Sequence, residues 1–163
     1  MRSEVEFKLD VVGAVVLAYS YAMKKTLGQC EGLYARPVKG KGTGLFCANP
    51  LEKGCVIETA PTLVFDGPEA QEHVDQTNIY NYYFWLGRLS REETNALGLF
   101  QPDKAGCLAL GAMSIANHSD RPNADFGFDV FESALFMTLT AMNNIPADHE
   151  ITINYGELWF RPV

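Results

Sequence analysis

The sequence is poor in the residue patterns that build metal sites and disulfide frameworks. Its four cysteines stand at positions 30, 47, 55 and 107, too far apart in the sequence to form a zinc knuckle. The three histidines, His73, His118 and His149, are also widely separated, so we predict no metal site. Because no convincing secretion signal is present, reduced thiols in an intracellular setting, cytoplasmic or nuclear, are the simplest account.

The N-terminal region lacks an apolar run long enough to span a membrane. Residues 11–23 are uncharged, but a membrane-spanning helix needs about 20 apolar residues. The first ten residues place Arg2 and Lys8 among three acidic side chains, so they lack the positive start of a signal peptide. We therefore predict no transmembrane segment, with a membrane-associated anchor as an open alternative.

Residues 1–29 are predicted to form an N-terminal extension. Ser3 and Glu6 have the spacing of a capping box, and Gly28 is a suitable helix stop. This pattern favours a helix that docks on the domain or on a second copy of the chain, which would support a homodimer. The valines of the segment leave a strand as the alternative.

Positive charge is also scarce. The chain of 163 residues carries 13 basic and 20 acidic residues, a formal net charge of −7. Nucleic-acid binding depends on basic clusters, so we predict no direct binding of nucleic acid. The acidic balance suits a basic polypeptide partner through long-range attraction, although ordinary solubility charge also explains it.

From residue 33 the pattern changes to short apolar runs separated by turn residues, as expected for antiparallel strands. Residues 33–38, 45–48 and 62–65 are three such runs, and residues 124–131 and 134–141 predict a hairpin that turns near Glu132 and Ser133. Gly42-x-Gly44 lacks the third glycine and the crossover helix of a dinucleotide-binding motif. In the middle of the chain, residues 90–93 predict a helix start.

Polar residues concentrate at two places further along the chain. Residues 117–123 supply amide, imidazole, hydroxyl, carboxylate and guanidinium groups directly after an apolar stretch. Such groups must be hydrogen-bonded where they are buried. Residues 150–155 alternate apolar and polar side chains, which predicts a half-buried strand that ends at Tyr155. A tyrosine delivered beside a polar turn is a candidate reaction centre.

Three short motifs in this order carry a family resemblance: Gly42-Thr43-Gly44-Leu45-Phe46, Asn117-His118-Ser119-Asp120-Arg121-Pro122-Asn123 and Glu150-Ile151-Thr152-Ile153-Asn154-Tyr155-Gly156. Together they resemble the SET-domain protein lysine methyltransferases, in particular the compact members without zinc-binding flanks. The resemblance implies a mostly β, α+β fold (a β-clip of small antiparallel sheets) with knot-like C-terminal threading, and a SET domain over residues 30–163. It also implies methyl transfer from S-adenosylmethionine to a lysine of a basic, histone-like protein.

The resemblance assigns roles to particular residues. Tyr155 is the implied catalytic residue, with its hydroxyl directed at the reacting methyl group. The implied contacts to the cofactor are Lys41, Gly42, Gly44, Asn117, His118, Tyr155 and Trp159. Simpler alternatives stay open, since a tyrosine at a strand end is usually a core residue, a glycine-rich stretch is often a flexible turn, and Trp159 could be a buried plug.

A channel for the substrate lysine is a further implication of the resemblance. Its candidate residues are Tyr80, Tyr82, Phe84 and Phe126, with Tyr83 as another, because aromatic faces attract an ammonium group. Most aromatic side chains are core residues, and an extended segment points only alternate side chains toward a channel.

The sequence also departs from the family pattern. Asn154 stands where the family usually has aspartate, and Asp120 stands where cysteine is frequent. The Tyr-x-Gly motif that some members carry is absent from residues 58–61. These departures leave open the substrate and the number of methyl groups added. Asn154 and the short C-terminus also motivate an alternative function, a SET-like binding module with little or no turnover.

Overall fold

The computed structural model describes residues 25–156, which form two sheets with short helices between the strands. The larger sheet contains six strands: β1 (Gly28–Gln29), β4 (Val56–Phe65), β5 (Phe84–Trp85), β6 (Gly106–Ala109), β8 (Ala124–Phe131) and β9 (Ala134–Ala141). The smaller sheet contains four: β2 (Leu33–Val38), β3 (Gly42–Cys47), β7 (Asn117–His118) and β10 (Glu150–Ile153). The predicted fold, mostly β with few helices, is confirmed.

The larger sheet has the strand order β5-β6-β4-β9-β8, with β1 paired to β4. Strands β8 and β9 form the predicted hairpin, and Glu132 at its turn adopts a φ of 56°. Strand β9 buries Leu135, Met137 and Leu139 on one face, as its alternating pattern requires. This face forms much of the core.

Strand β10 brings the predicted motifs together. It lies between β3, to which it is antiparallel, and β7, to which it is parallel. Ile151 and Ile153 are fully buried, which fixes the register of the strand. The predicted strand over residues 150–155 ends early, at Ile153, because the Asn154 side chain accepts a hydrogen bond from the N–H of Gly156 at 2.7 Å and forms a turn.

The connections contain short helices only. Between residues 25 and 156 there are two α-helices, α1 (Gly67–Glu72) and α2 (Arg91–Ala96), and single 3₁₀ turns cover Val74–Gln76, Asn78–Asn81, Pro102–Lys104 and Ala112–Ile115. The helix start predicted at residues 90–93 is confirmed, because Ser90 and Glu93 form a reciprocal capping box. Among the residues described, no helix is long and apolar enough to cross a membrane.

Most of the predicted N-terminal extension lies outside the described residues. Its last part belongs to the larger sheet, where Gly28 and Gln29 pair with Thr59 and Glu58 of β4. Just before this strand, Lys25 forms a salt bridge with Asp129 of β8. The helix within residues 1–29, the domain boundary and the homodimer remain predictions.

Candidate active site

Tyr155 lies directly beyond β10 and contacts the segment around β7. Its hydroxyl donates a hydrogen bond to the carbonyl of Ala116 at 2.8 Å, and its backbone N–H donates to Nδ1 of His118 at 3.2 Å. The two ring centroids are 5.4 Å apart. Burial raises the pKa of the phenol, with smaller contributions from Tyr82 and Glu150. The hydroxyl therefore keeps its proton near neutral pH.

The contacts of His118 select one form of its imidazole. Because Nδ1 accepts the Tyr155 N–H, a neutral ring carries its proton on Nε2, which lies 3.2 Å from a carboxylate oxygen of Asp120. The backbone carbonyl of His118 accepts a hydrogen bond from Nζ of Lys41 at 3.2 Å. This bond places Lys41, at the β2–β3 turn, beside β7.

Gly44 and Asn117 come together around the carboxylate of Glu150. Asn117 donates a hydrogen bond to Oε1 of Glu150 at 2.8 Å. A Cβ atom at position 44 would lie 2.8 Å from that oxygen and 3.0 Å from Nδ2 of Asn117, so this approach requires glycine. Gly42 adopts a φ of +74° and faces open space. Sequence reasoning did not single out Glu150 for this contact, although the residue belongs to the third motif.

Asn123 holds β10 in place. Its side-chain amide donates to the carbonyl of Glu150 and accepts from the N–H of Thr152, both at 2.8 Å. The turn over residues 119–123 is thereby tied to the strand that leads to Tyr155. We call Asn117, His118, Asn123 and Glu150 the polar group of the site.

A cavity of about 490 Å³, here called the aromatic cavity, opens beside Tyr155. All five channel candidates, Tyr80, Tyr82, Tyr83, Phe84 and Phe126, line it together with Tyr155. The rings of Phe84 and Phe126 meet edge to face with their centroids 4.8 Å apart. The remaining lining residues are Asn81, Trp85, Arg88, Ser114, Ala116, Asn154 and Gly156.

The predicted cofactor residues form a separate set. Lys41, Gly42, Gly44, Asn117 and His118 are absent from the lining of the aromatic cavity, and Trp159 lies outside the described residues. Tyr155 contacts both regions, since it lines the aromatic cavity, its hydroxyl donates to the cavity-lining Ala116 and its backbone N–H donates to His118.

Glu58 lies on strand β4 of the larger sheet and fixes the turn that leads to Ala116. Sequence reasoning did not identify this role. The Glu58 side chain is 5% exposed and accepts hydrogen bonds from the N–H groups of Ala112 at 2.9 Å and Met113 at 2.6 Å. These groups begin the 3₁₀ turn that leads to Ala116. A Cβ at Gly111 would lie 2.7 Å from the same carboxylate. A buried glutamate in a strand is the signal that could have revealed this role.

Comparison with known proteins gives the family. The profile of the SET domain matches residues 42–156, more than half of the chain. The chain belongs to the SET-domain family. This SET-domain protein is 29% identical over 130 residues to the histone-lysine N-methyltransferase, H3 lysine-37 specific, of Schizosaccharomyces pombe. The match covers 78% of this chain and 76% of that relative.

Two solved structures resemble the SET-domain protein as well. A proposed histone methyltransferase of Plasmodium falciparum superposes with a TM-score of 0.57 at 27% identity, covering 81% of this chain and 99% of that one. The Neurospora SET-domain protein DIM-5, a histone lysine methyltransferase, gives a TM-score of 0.61 at 20% identity. That match covers 82% of this chain and 55% of DIM-5, and it shows the fold alone.

Proposed function

We propose that this SET-domain protein is a protein-lysine N-methyltransferase that uses S-adenosylmethionine. The observation that carries the proposal is the position of Tyr155, which joins the aromatic cavity to the polar group. Methyl transfer to an amine needs two reactants aligned across one narrow centre. Tyr155 stands where two such reactants would meet.

The residues around β7 suit the cofactor. The open space at Gly42 lets a ligand approach the backbone, Gly44 makes room for the contact between Asn117 and Glu150, and Asn117 and His118 offer polar edges. We propose that Lys41, Gly42, Gly44, Asn117, His118 and Tyr155 hold the cofactor, with Trp159 as a further contact. When bound, S-adenosylmethionine would supply an electrophilic methyl group.

The aromatic cavity suits the lysine side chain. Aromatic faces attract an ammonium group as it enters, but only the neutral amine is a nucleophile. Burial of the amine disfavours its charged form and so promotes loss of the proton before transfer. The Tyr155 hydroxyl donates a hydrogen bond to the carbonyl of Ala116, and we propose that the same hydroxyl orients the amine for transfer.

The substrate is proposed to be a basic, histone-like protein. The net charge of −7 favours the approach of a basic polypeptide, and the curated relative acts on histone H3. An intracellular location is part of this proposal.

The second candidate function is a binding module without turnover, which was suggested by Asn154 at a position where the family usually has aspartate. The amide of Asn154 accepts a hydrogen bond from Gly156, so its presence also has a structural reason.

Calorimetric titration with S-adenosylmethionine, followed by assay of methyl incorporation into histones, tests the proposal. We expect saturable binding and turnover, and Tyr155→Phe should lower the rate on the order of a hundredfold while leaving cofactor affinity nearly unchanged. Tyr34→Phe is the matched control, because Tyr34 also donates its hydroxyl, to Asp148 at 2.8 Å, but does not line the cavity. Cofactor binding without turnover would favour the binding module, and absence of both would reject the enzyme.

A further inference from the structure

The aromatic cavity contains one formal charge, and it is positive. Of the residues that line it, Arg88 alone is charged, while the others are aromatic, amide, hydroxyl or small side chains. Within residues 25–156, no hydrogen bond or salt bridge engages the guanidinium group of Arg88. A cation is unexpected beside a cavity proposed to receive the ammonium of a lysine, because like charges repel.

Arg88 lies at the mouth of the cavity. Its side chain is exposed, and so are its neighbours in the lining, Tyr82 at 49% and Trp85 at 56%. The lining also includes a buried residue, since Ala116, whose carbonyl accepts the Tyr155 hydroxyl, is 1% exposed. A substrate group that meets Arg88 would therefore remain at an exposed part of the cavity while the lysine side chain extends toward the Tyr155 hydroxyl.

The backbone that carries Arg88 is firmly held. Leu86 is fully buried and its N–H donates to the carbonyl of Ala105 at 3.0 Å. The Trp85 ring packs so closely over Gly87 that a Cβ there would lie 2.0 Å from it, and the indole N–H donates to the carbonyl of Asp103 at 2.8 Å. Arg88 is thus presented from a fixed loop, which lowers the entropic cost of binding a partner.

We infer that Arg88 selects substrates in which an acidic side chain lies next to the target lysine. The inference rests on the proposed function. A guanidinium group pairs well with a carboxylate, and it disfavours a second cation beside the lysine. The net negative charge attracts a basic protein at long range, whereas Arg88 acts at contact distance. The amino-acid carboxylate of the cofactor is the other source of this chemistry, but the exposure of Arg88 favours the peptide.

The test uses short synthetic peptides that contain one lysine and differ only in its neighbours, which are Asp, Asn or Arg. We expect the wild-type protein to methylate the Asp peptide with a kcat/KM on the order of fivefold above the Asn peptide, with the Arg peptide lowest. The preference should shrink as salt concentration rises. Arg88→Glu should reverse the order, so that the Arg peptide becomes the best substrate.

Arg91→Glu is the matched control, because Arg91 is exposed on the adjoining helix and does not line the cavity. It should leave the order of the peptides unchanged. The inference is overturned if Arg88→Glu keeps the wild-type order, or if it weakens S-adenosylmethionine binding by calorimetry and leaves peptide preference alone, which would assign the carboxylate to the cofactor. Methylation of no peptide or histone would instead reject the proposed function.

Discussion

The polar group and the aromatic cavity are held in different ways. The polar group joins segments far apart in sequence through hydrogen bonds to strand β10, such as those from Asn117 to Glu150 and from Asn123 to the β10 backbone. The aromatic cavity is built largely on loops and single turns between Asn78 and Arg88, and ring contacts such as Phe84 with Phe126 hold part of it.

Because they are held differently, the two regions should respond differently to mutation. Directional hydrogen bonds in a partly buried network leave unpaired groups when one partner is removed, so damage to the polar group should be large and should spread. Ring contacts are individually weak and adaptable, so changes in the aromatic cavity should be graded and should affect mainly the substrate. The two regions can therefore be distinguished by mutation.

Asn123→Ala should have the largest effect. It removes two hydrogen bonds to the backbone of β10 and leaves those backbone groups without partners, which should cost about 3 kcal/mol of the free energy of unfolding. Cofactor affinity and turnover should fall together, because β10 positions Tyr155. Denaturant unfolding and calorimetry measure both. Asn144→Ala is the control, since the Asn144 side chain accepts one exposed hydrogen bond, from the N–H of Lys53. If both variants lost the same free energy of unfolding, the polar group would be no more sensitive to mutation than an exposed hydrogen bond.

Glu58→Gln should come next, because it alters the carboxylate that fixes the turn leading to Ala116. The expected cost is about 2 kcal/mol of the free energy of unfolding, with a fall in kcat that exceeds any change in cofactor affinity. Asp66→Asn is the matched control, since Asp66 also accepts several backbone N–H groups but lies away from the cavity lining. If both variants lose stability and neither loses kcat, Glu58 has no role in positioning.

Local patterns predicted the parts of the molecule that local physics determines. The β8–β9 hairpin follows from alternation, and the helix at Ser90 follows from its capping box. Sequence analysis predicted a strand over residues 62–65, but β4 begins at Val56 and continues through Pro61, because it pairs with β9 on one side and the carbonyl of Pro61 accepts the Leu110 N–H. Proline removes a donor from a strand and leaves its acceptor in place.

The meeting of the motifs could be anticipated only from the family resemblance. Nothing in the residues alone shows that β7 lies parallel to β10, since that contact joins segments more than thirty positions apart. The sequence alone could not predict that Arg88 is the one charged residue in the lining of the aromatic cavity, because the lining also joins distant segments. Arg88 follows a short edge strand, and it shares the lining with Ser114, Phe126 and Asn154, which are distant from it in the sequence.

Phe126→Leu should have a smaller effect, confined to the substrate. The ring lines the aromatic cavity and meets Phe84, so its loss should raise the peptide KM a few-fold and cost about 1 kcal/mol of the free energy of unfolding. Phe128→Leu is the matched control on the same face of β8, with its ring 5.7 Å from Phe126 but outside the cavity lining. A KM that rises equally in both variants would show that strand packing, and not the cavity, sets substrate affinity.

Tyr83→Phe should have the smallest effect, visible mainly at high pH. Burial, and then the hydrogen bond from its hydroxyl to Asp75, raises the pKa of Tyr83 to about 12. In the unfolded chain the phenol ionises near its ordinary pKa of about 10, so the wild-type free energy of unfolding should fall as pH rises through the interval between the two values. The variant lacks this group, so its stability should fall less there, while at neutral pH it should lose under about 1 kcal/mol. Urea unfolding at neutral and alkaline pH measures the difference, and parallel profiles for the two proteins would mean that the phenol at position 83 ionises as readily in the folded state as in the unfolded chain.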